Sequence, residues 1–158
     1  MPHIKKASSE NDIQIAQQLL REYGELRCYD IALGDYEKEI ASLPGEYAEP
    51  NGCFLLAFHE DVPAGCVALR RRSEKVSEMK RLYVKPDYRG KGLGRALVDE
   101  LIKEAREKGY HLMRLDTHPW MKEAEELYKS VGFYEIEPYR FNPIEGVKFF
   151  ELDLRGQD

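Results

Sequence analysis

Arg89-x-x-Gly92-x-Gly94 is the group of residues in this chain best suited to chemistry on an anion. It lies between two regular stretches. Met79 to Val84 is apolar-rich and stopped by Pro86, as a strand is. Leu93, Leu97, Leu101 and Ala105 then recur every fourth residue, one apolar face of a helix. Between them Gly90, Gly92 and Gly94 alternate with Lys91 and Leu93. Glycines let backbone N–H groups turn towards a ligand and approach it closely. The first turn of a helix leaves N–H groups unpaired, at the positive end of the helix dipole. A diphosphate is the usual occupant of such a site. Lys85, Arg89, Lys91 and Arg95 stand against the single Asp87, in a chain whose net charge is −5. A glycine pattern alone is weak, and the alternative is a tight strand–helix turn with solvated basic side chains.

Spacing narrows the ligand. A Walker loop ends in Gly-Lys-Ser/Thr, whereas Gly94 is followed by Arg95-Ala96. A dinucleotide loop needs GxGxxG, and after Gly92 and Gly94 it is Leu97 that stands where the third glycine would be. Arg89-x-x-Gly92-x-Gly94 instead resembles the acetyl-CoA pyrophosphate loop of the GNAT superfamily of N-acetyltransferases. Ala124-x-x-Leu127-Tyr128-x-x-x-Gly132-Phe133 is similar to the run that closes the acetyl-CoA site in the same superfamily. One departure is Met121, where many members carry an asparagine that bonds the coenzyme.

The resemblance implies roles. Tyr128 becomes the acid that protonates the leaving thiolate, a phenol of pKa ~10 serving a thiol of ~8.5; a core tyrosine on an apolar helix face is the alternative. Leu82 becomes the backbone donor to the thioester carbonyl, an oxyanion-hole function. Val84 contacts the pantetheine arm, with Tyr83 between them. Arg89, Gly90, Lys91, Gly92, Leu93, Gly94 and Arg95 hold the diphosphate. Glu78 is the candidate base for the acceptor amine, sharing the strand face of Leu82 because strand side chains repeat every second residue; an edge-strand acid paired with Lys80 or Arg81 is the other reading. Asp116 and His118 are fallbacks at the end of the neighbouring strand. Tyr23, Arg27, Tyr29 and Tyr47 fall where the superfamily shapes its acceptor pocket, with a plain surface or half-buried side chain as the alternative for each, and Tyr139-Arg140-Phe141-Asn142-Pro143 lines that pocket or forms a hairpin loop.

Composition bounds the rest. The 158 residues are 34% charged and 42% apolar, ordinary for one folded domain with a proper core. No apolar run approaches a membrane span, and the N-terminus lacks a signal-peptide core, so no membrane partner is expected. Cys28, Cys53 and Cys66 are odd in number and lack metal-ligand spacing, which favours a reduced, cytoplasmic setting without a metal site. The acidic balance speaks against nucleic acid. Arg70-Arg71-Arg72 reads as a solvated strand end beside Glu74 and Glu78.

Periodicity then orders the elements. Ile4 to Ala7 is a strand. Ser9 caps a helix carrying Ile13, Ala16, Leu19, Leu20 and Tyr23, which Gly24 can end. Tyr36 to Leu43 is a short helix. Cys53 to His59 and Ala64 to Leu69 form a hairpin, and Val76 to Val84 pairs back. A helix from Gly92 to Lys108 is closed by Gly109. Tyr110 to Thr117 is a strand, completing a βαβ crossover with the usual right hand. Trp120 to Val131 is a helix, and strands begin at Phe133 and run from Val147 to Leu154.

The expected fold is α/β (α+β), a single domain over residues 1–158 with the order βααβββαβαββ. Its centre is a mixed, mostly antiparallel sheet of about six to seven strands with about four flanking helices. The expected function is transfer of an acetyl group from acetyl-CoA to a primary amine of a small or amino-acid-like acceptor, by direct attack in a ternary complex. A catalytically weak acyl-CoA-binding regulatory module is the alternative. A homodimer is left open.

Overall fold

A computed structural model of the chain describes residues 3–26, 35–119, 121–142 and 145–155. The elements follow the expected order: β1 (His3–Lys6), α1 (Glu10–Leu26), α2 (Asp35–Ala41), β2 (Cys53–His59), β3 (Val62–Ser73), β4 (Val76–Val84), α3 (Leu93–Glu107), β5 (Leu112–Thr117), α4 (Lys122–Val131), β6 (Tyr134–Ile136) and β7 (Lys148–Asp153). They build one seven-stranded sheet in the order β1-β2-β3-β4-β5-β7-β6. Only the β4–β5 pair is parallel; the other pairs are antiparallel. Among the described residues, no helix is long and apolar enough to cross a membrane.

Each face of the sheet has its own core. Leu93, Leu97, Val98, Leu101 and Ala105 of α3 pack with Leu55, Val67, Leu69, Met79, Met113 and Leu115, joined by Tyr128 of α4. On the other face Ala16, Leu19 and Leu20 of α1 and Ile40 of α2 cover Phe54, Leu56, Cys66, Ala68 and Tyr83. The helix stripes and strand alternations described above supply these two faces.

The start of α1 is capped as its residues foretell. Ser9 Oγ accepts the Asp12 N–H at 3.0 Å, and Asp12 accepts the N–H groups of Ser8 and Ser9 at 3.1 and 3.3 Å. Gly24 does not end the helix, which runs to Leu26. The β3 strand is longer than expected, because Arg70 and Arg71 continue the ladder opposite Glu78 and Ser77.

Two features of β4 shape everything around it. The first is a bulge. Cys66 pairs with Tyr83 but Ala68 pairs with Lys80, so two steps on β3 face three on β4. Arg81 sits in the extra turn at φ +62°, a left-handed conformation that costs a residue with a Cβ about 1 kcal/mol. The bulge reverses the alternation: Met79 belongs to the α3 core, whereas Tyr83, four residues on, belongs to the α1 core. The second feature is where pairing stops. Only Val76–Glu78 pair with Leu112–Arg114, although β5 goes on pairing with β7 as far as Thr117. Beyond Glu78 the two parallel strands part and the sheet splits.

A side-chain assembly holds the bulge. Arg81 donates through Nε and Nη2 to both oxygens of Glu39 on α2, at 2.8 and 2.7 Å. Its guanidinium lies 5.0 Å from the centre of the Tyr36 ring, and the Tyr36 hydroxyl donates to the Leu20 carbonyl. Tyr47 adds a hydrogen bond to Glu39 at 2.9 Å. Burial works against the Glu39 carboxylate, but the bonds from Arg81 and Tyr47 outweigh it and hold its carboxyl below the usual range.

Backbone closeness at the split has its own requirement. Gly65 pairs with Val84, and a Cβ there would lie 2.6 Å from the Tyr83 carbonyl oxygen and 3.3 Å from Val84 Cα. Gly65→Ala must push β4 away from β3, so urea unfolding should show a loss of about 1–3 kcal/mol. An unchanged midpoint and slope would mean that the two strands separate there without strain.

Candidate functional site

The split opens onto a groove of ≈ 680 Å³. One wall is the end of β4, with Leu82, Tyr83 and Val84; its floor is the loop and first turn that follow, with Arg89, Gly90, Gly92, Leu93 and Gly94. Met121, Ala124 and Leu127 form the opposite wall, and Tyr23 reaches it from α1. Eight of the ten residues expected to bind the coenzyme therefore share one groove. Lys91 and Arg95 do not line it; Arg95 pairs along α3 with Asp99 at 3.1 Å. Met121 does line it, in the place expected of a coenzyme-bonding asparagine, and offers the wall a thioether instead.

The loop is built by its glycines. Gly90 and Gly92 have φ of +80° and +82°, where a side chain would be strained. Arg89 Nε folds back to donate to the Val84 carbonyl at 2.9 Å. The Ala96 N–H bonds to the Gly92 carbonyl at 3.0 Å, so the N–H groups of Leu93, Gly94 and Arg95 precede the first intrahelical bond. No side chain caps them, and the first turn contains no acid. The result is a cluster of donors at the positive end of a 15-residue helix. Gly94 has a different function: a Cβ there would sit 3.6 Å from Leu127 Cδ2 and 3.9 Å from Val84 Cγ2, inside the groove. An anionic head on the helix end, with an extended chain along β4, fits this shape. Coenzyme A has that form.

Tyr128 is buried beside the groove. It is 4% exposed, one residue from the lining Leu127, with its ring 5.7 Å from that of Phe133. The spacing from Tyr128 to Phe133 has a structural reason. Gly132 ends α4 at φ +119°, and the N–H groups of Gly132 and Phe133 both bond to the Tyr128 carbonyl, at 3.2 and 3.0 Å. The left-handed glycine thereby folds Phe133 back against Tyr128.

Glu78 lies elsewhere than expected. The bulge at Arg81 places Leu82 with the α3 core, while Glu78 stands opposite Arg70 on the α1 face. The two residues do not share a face. Nor does Glu78 pair directly with Lys80 or Arg81. It is fully buried, accepts from Arg70 Nε at 2.7 Å and from the Tyr139 hydroxyl at 2.5 Å. Burial disfavours its charge, but Lys80, Arg70 and the Tyr139 bond win and hold its carboxyl below the usual range. Arg70 is correspondingly no solvated strand end: its side chain is 19% exposed and also reaches Glu46 at 2.7 Å.

Next to this pair, on the α1 face of the split, Asp116 accepts from Arg140 and from Asn142 Nδ2 at 3.2 Å. Desolvation opposes the Asp116 charge, while Lys80 and Arg140 restore it and keep its carboxyl low. The segment around Tyr139 thus meets β4 at Glu78, where its pairing with β5 stops, and β5 at Asp116, near its end. Tyr47 is buried against Glu39, and Arg27 and Tyr29 lie outside the described residues. The contributions of Arg70, Lys80 and the Glu39–Arg81 pair were missed, because their partners are brought together only by strand register and helix docking.

Comparison with known proteins agrees with this geometry. The profile described as the acetyltransferase (GNAT) family matches residues 15–133. An uncharacterized N-acetyltransferase of Schizosaccharomyces pombe is 39% identical over 142 residues, covering 89% of this chain and 85% of that one. The thialysine N-epsilon-acetyltransferase of Bos taurus is 28% identical, covering 80% and 69%. Among solved structures, the PaiA N-acetyltransferase of Thermoplasma acidophilum in complex with coenzyme A superposes with a TM-score of 0.77 at 22% identity, covering 97% of this chain and 99% of that one.

Gly94 separates groove shape from fold stability. Alanine is the better helix former, so Gly94→Ala should hold or raise the unfolding free energy, by up to ~1 kcal/mol. Its methyl group occupies the groove, so calorimetric titration should show coenzyme A binding weakened by about 10-fold, the equivalent of about 1.4 kcal/mol of overpacking. Equal affinity in the two proteins would place the coenzyme elsewhere.

Proposed function

The chain belongs to the GNAT family of acetyltransferases, and from that premise we propose that it carries the acetyl group of acetyl-CoA to the primary amine of a small, amino-acid-like acceptor, by direct attack with both substrates bound together. One observation carries the reading. The uncapped, glycine-flanked start of α3 meets the parting edge of β4 in a single groove. Acetyl-CoA supplies an acyl group already activated as a thioester.

The residues of the chain divide the remaining work. The first-turn amides of α3 and the loop of Gly90 and Gly92 bind phosphate oxygens. Val84, on the strand edge, binds the amide-bearing arm by main-chain hydrogen bonds, as an added strand would. The Leu82 N–H donates to the acyl oxygen where negative charge develops. Tyr128 holds the proton that the departing sulfur requires. The acceptor approaches from the α1 face and must arrive as the neutral amine. Glu78, with both oxygens engaged, suits positioning of Arg70 and Tyr139 better than proton abstraction; to act as the base it must first release one of them.

Thiol release from acetyl-CoA against a panel of amines, amino acids and short peptides tests the activity. Tyr128→Phe should lower kcat by about 10²–10⁴-fold and leave coenzyme A affinity unchanged. Turnover that survives in the variant would remove Tyr128 from proton transfer. Tight coenzyme binding without reaction on any acceptor would favour an acyl-CoA-binding regulatory module.

Glu78→Gln separates base from positioning residue. The folded Glu78 carboxyl lies below its ordinary value of 4.5, so the stability it contributes is present above that value and is lost as pH falls through the lower one. Wild type should lose this stability in urea unfolding at acid pH, and the glutamine variant should lack that component. A positioning role leaves the acid limb of the kcat/KM profile in place; disappearance of that limb would identify Glu78 as the base.

A further inference from the structure

We propose that the acceptor carries a carboxylate as well as its amine, and that Lys80 and Arg140, on the α1 face of the split, are the cations that bind it. This rests on the acetyltransferase reading and names the chemical class of its second substrate.

The charges around the split do not cancel. Three cations, Arg70, Lys80 and Arg140, meet two carboxylates, the fully buried Glu78 and the partly buried Asp116. Arg70 is spent on Glu78 at 2.7 Å. Glu46, its other partner, is 70% exposed and solvated. Asp116 is taken by Arg140 and Asn142. The Arg81–Glu39 pair is complete in itself. One positive charge is left over, and two groups have donors to spare. Lys80 makes no hydrogen bond or ion pair within 4 Å among the described residues. Arg140 Nε is buried without a hydrogen-bond partner, its nearest carboxylate oxygen being Glu78 Oε2 at 3.7 Å.

Position favours a ligand between these two. Lys80 stands opposite Ala68 in the ladder, a small residue, two positions past the last β4 residue paired with β5. Arg140 comes from the segment after β6 and lies against Asp116, at the end of β5. They thus approach the split from its two sides. A half-buried ammonium without a direct partner is unfavourable. Desolvation lowers the Lys80 pKa to about 8, with Asp116 and Glu78 opposing that shift and Arg81 and Arg140 adding to it. From α2, Glu39 also faces Lys80. A ligand carboxylate supplies the missing counter-charge, accepting from the Lys80 ammonium beside the Arg140 guanidinium and leaving the ligand's amine to be directed towards the groove.

The test compares amino acids with their decarboxylated amines: lysine with cadaverine, alanine with ethylamine, and 6-aminohexanoate with pentylamine. Wild type should prefer the carboxylated member in kcat/KM by roughly 10- to 100-fold. Lys80→Met should collapse that ratio towards one, and Lys80→Arg should restore part of it. Binding of N-acetylalanine against N-ethylacetamide to the coenzyme-loaded protein, followed by saturation-transfer NMR, gives a readout independent of turnover. N-acetylalanine should bind the more tightly and should weaken in wild type as pH rises through about 8, because Lys80 then gives up its proton; Lys80→Met should show no such step. Preference for plain amines, a ratio indifferent to Lys80→Met, or equal binding of the two amides overturns the carboxylate assignment. Turnover of plain amines alone would do so while leaving the acetyltransferase reading intact. A failure to bind coenzyme A would instead sink that reading.

Discussion

The parting of β4 from β5 is the constraint on which the site depends. Parallel strands are held by ladder hydrogen bonds, and here the ladder is kept only over Val76–Glu78. A sheet that opens in its middle exposes main-chain groups that must be paired somehow. The protein limits that exposure by maintaining both outer pairings of the two strands. β4 remains zipped to β3 through Val84, and β5 to β7 through Thr117. The unpaired edges thus face each other across a gap, where an extended ligand can bond to them. An open edge, elsewhere a liability, becomes a binding surface once it is sheltered in this way.

The bulge supplies the bend that such a split requires. An extra residue at Arg81 increases local twist and turns the strand. Its left-handed backbone is unfavourable for a side-chain-bearing residue, and the bidentate bond to Glu39 with the Tyr36 contact offsets that cost. This couples the direction of β4 to the docking of α2. The same element that covers the α1-side core therefore also helps to fix the path of β4 towards the groove.

Much of this was legible in the sequence, for reasons tied to particular residues. Leu93, Leu97, Leu101 and Ala105 declare a helix because their spacing has one interpretation. Gly90 and Gly92 declare a loop because they occupy left-handed backbone in the structure. Ser9 and Asp12 cap α1 through local bonds. What could not be read depends on register. Val76 to Val84 contains no glycine or proline to mark a bulge, so regular alternation placed Glu78 and Leu82 on one face, and the structure places them on opposite faces. Tyr139 reaches Glu78 across 61 positions and Arg81 reaches Glu39 across 42, distances over which no local pattern reports. The loop was visible because its chemistry is backbone chemistry; the polar cluster was hidden because its chemistry belongs to side chains gathered by the fold.

In the proposed reading the two sides of the split recognise their ligands by different means. On the proposed coenzyme side the donors are helix-end amides and a strand edge, whose direction is set by backbone geometry and is insensitive to side-chain identity. On the proposed acceptor side the groups are the side chains of Arg70, Glu78, Lys80, Asp116 and Arg140. Backbone recognition suits a ligand that must be the same in every turnover, while a side-chain cluster can be retuned by single substitutions. Within this chain the cluster is nearly self-satisfied, and a nearly self-satisfied cluster is rigid, with little charge to spare. On the proposed reading, acceptor specificity resides in the residual imbalance rather than in the total number of charged groups, because an unpaired donor gains more from a ligand than it loses from its neighbours.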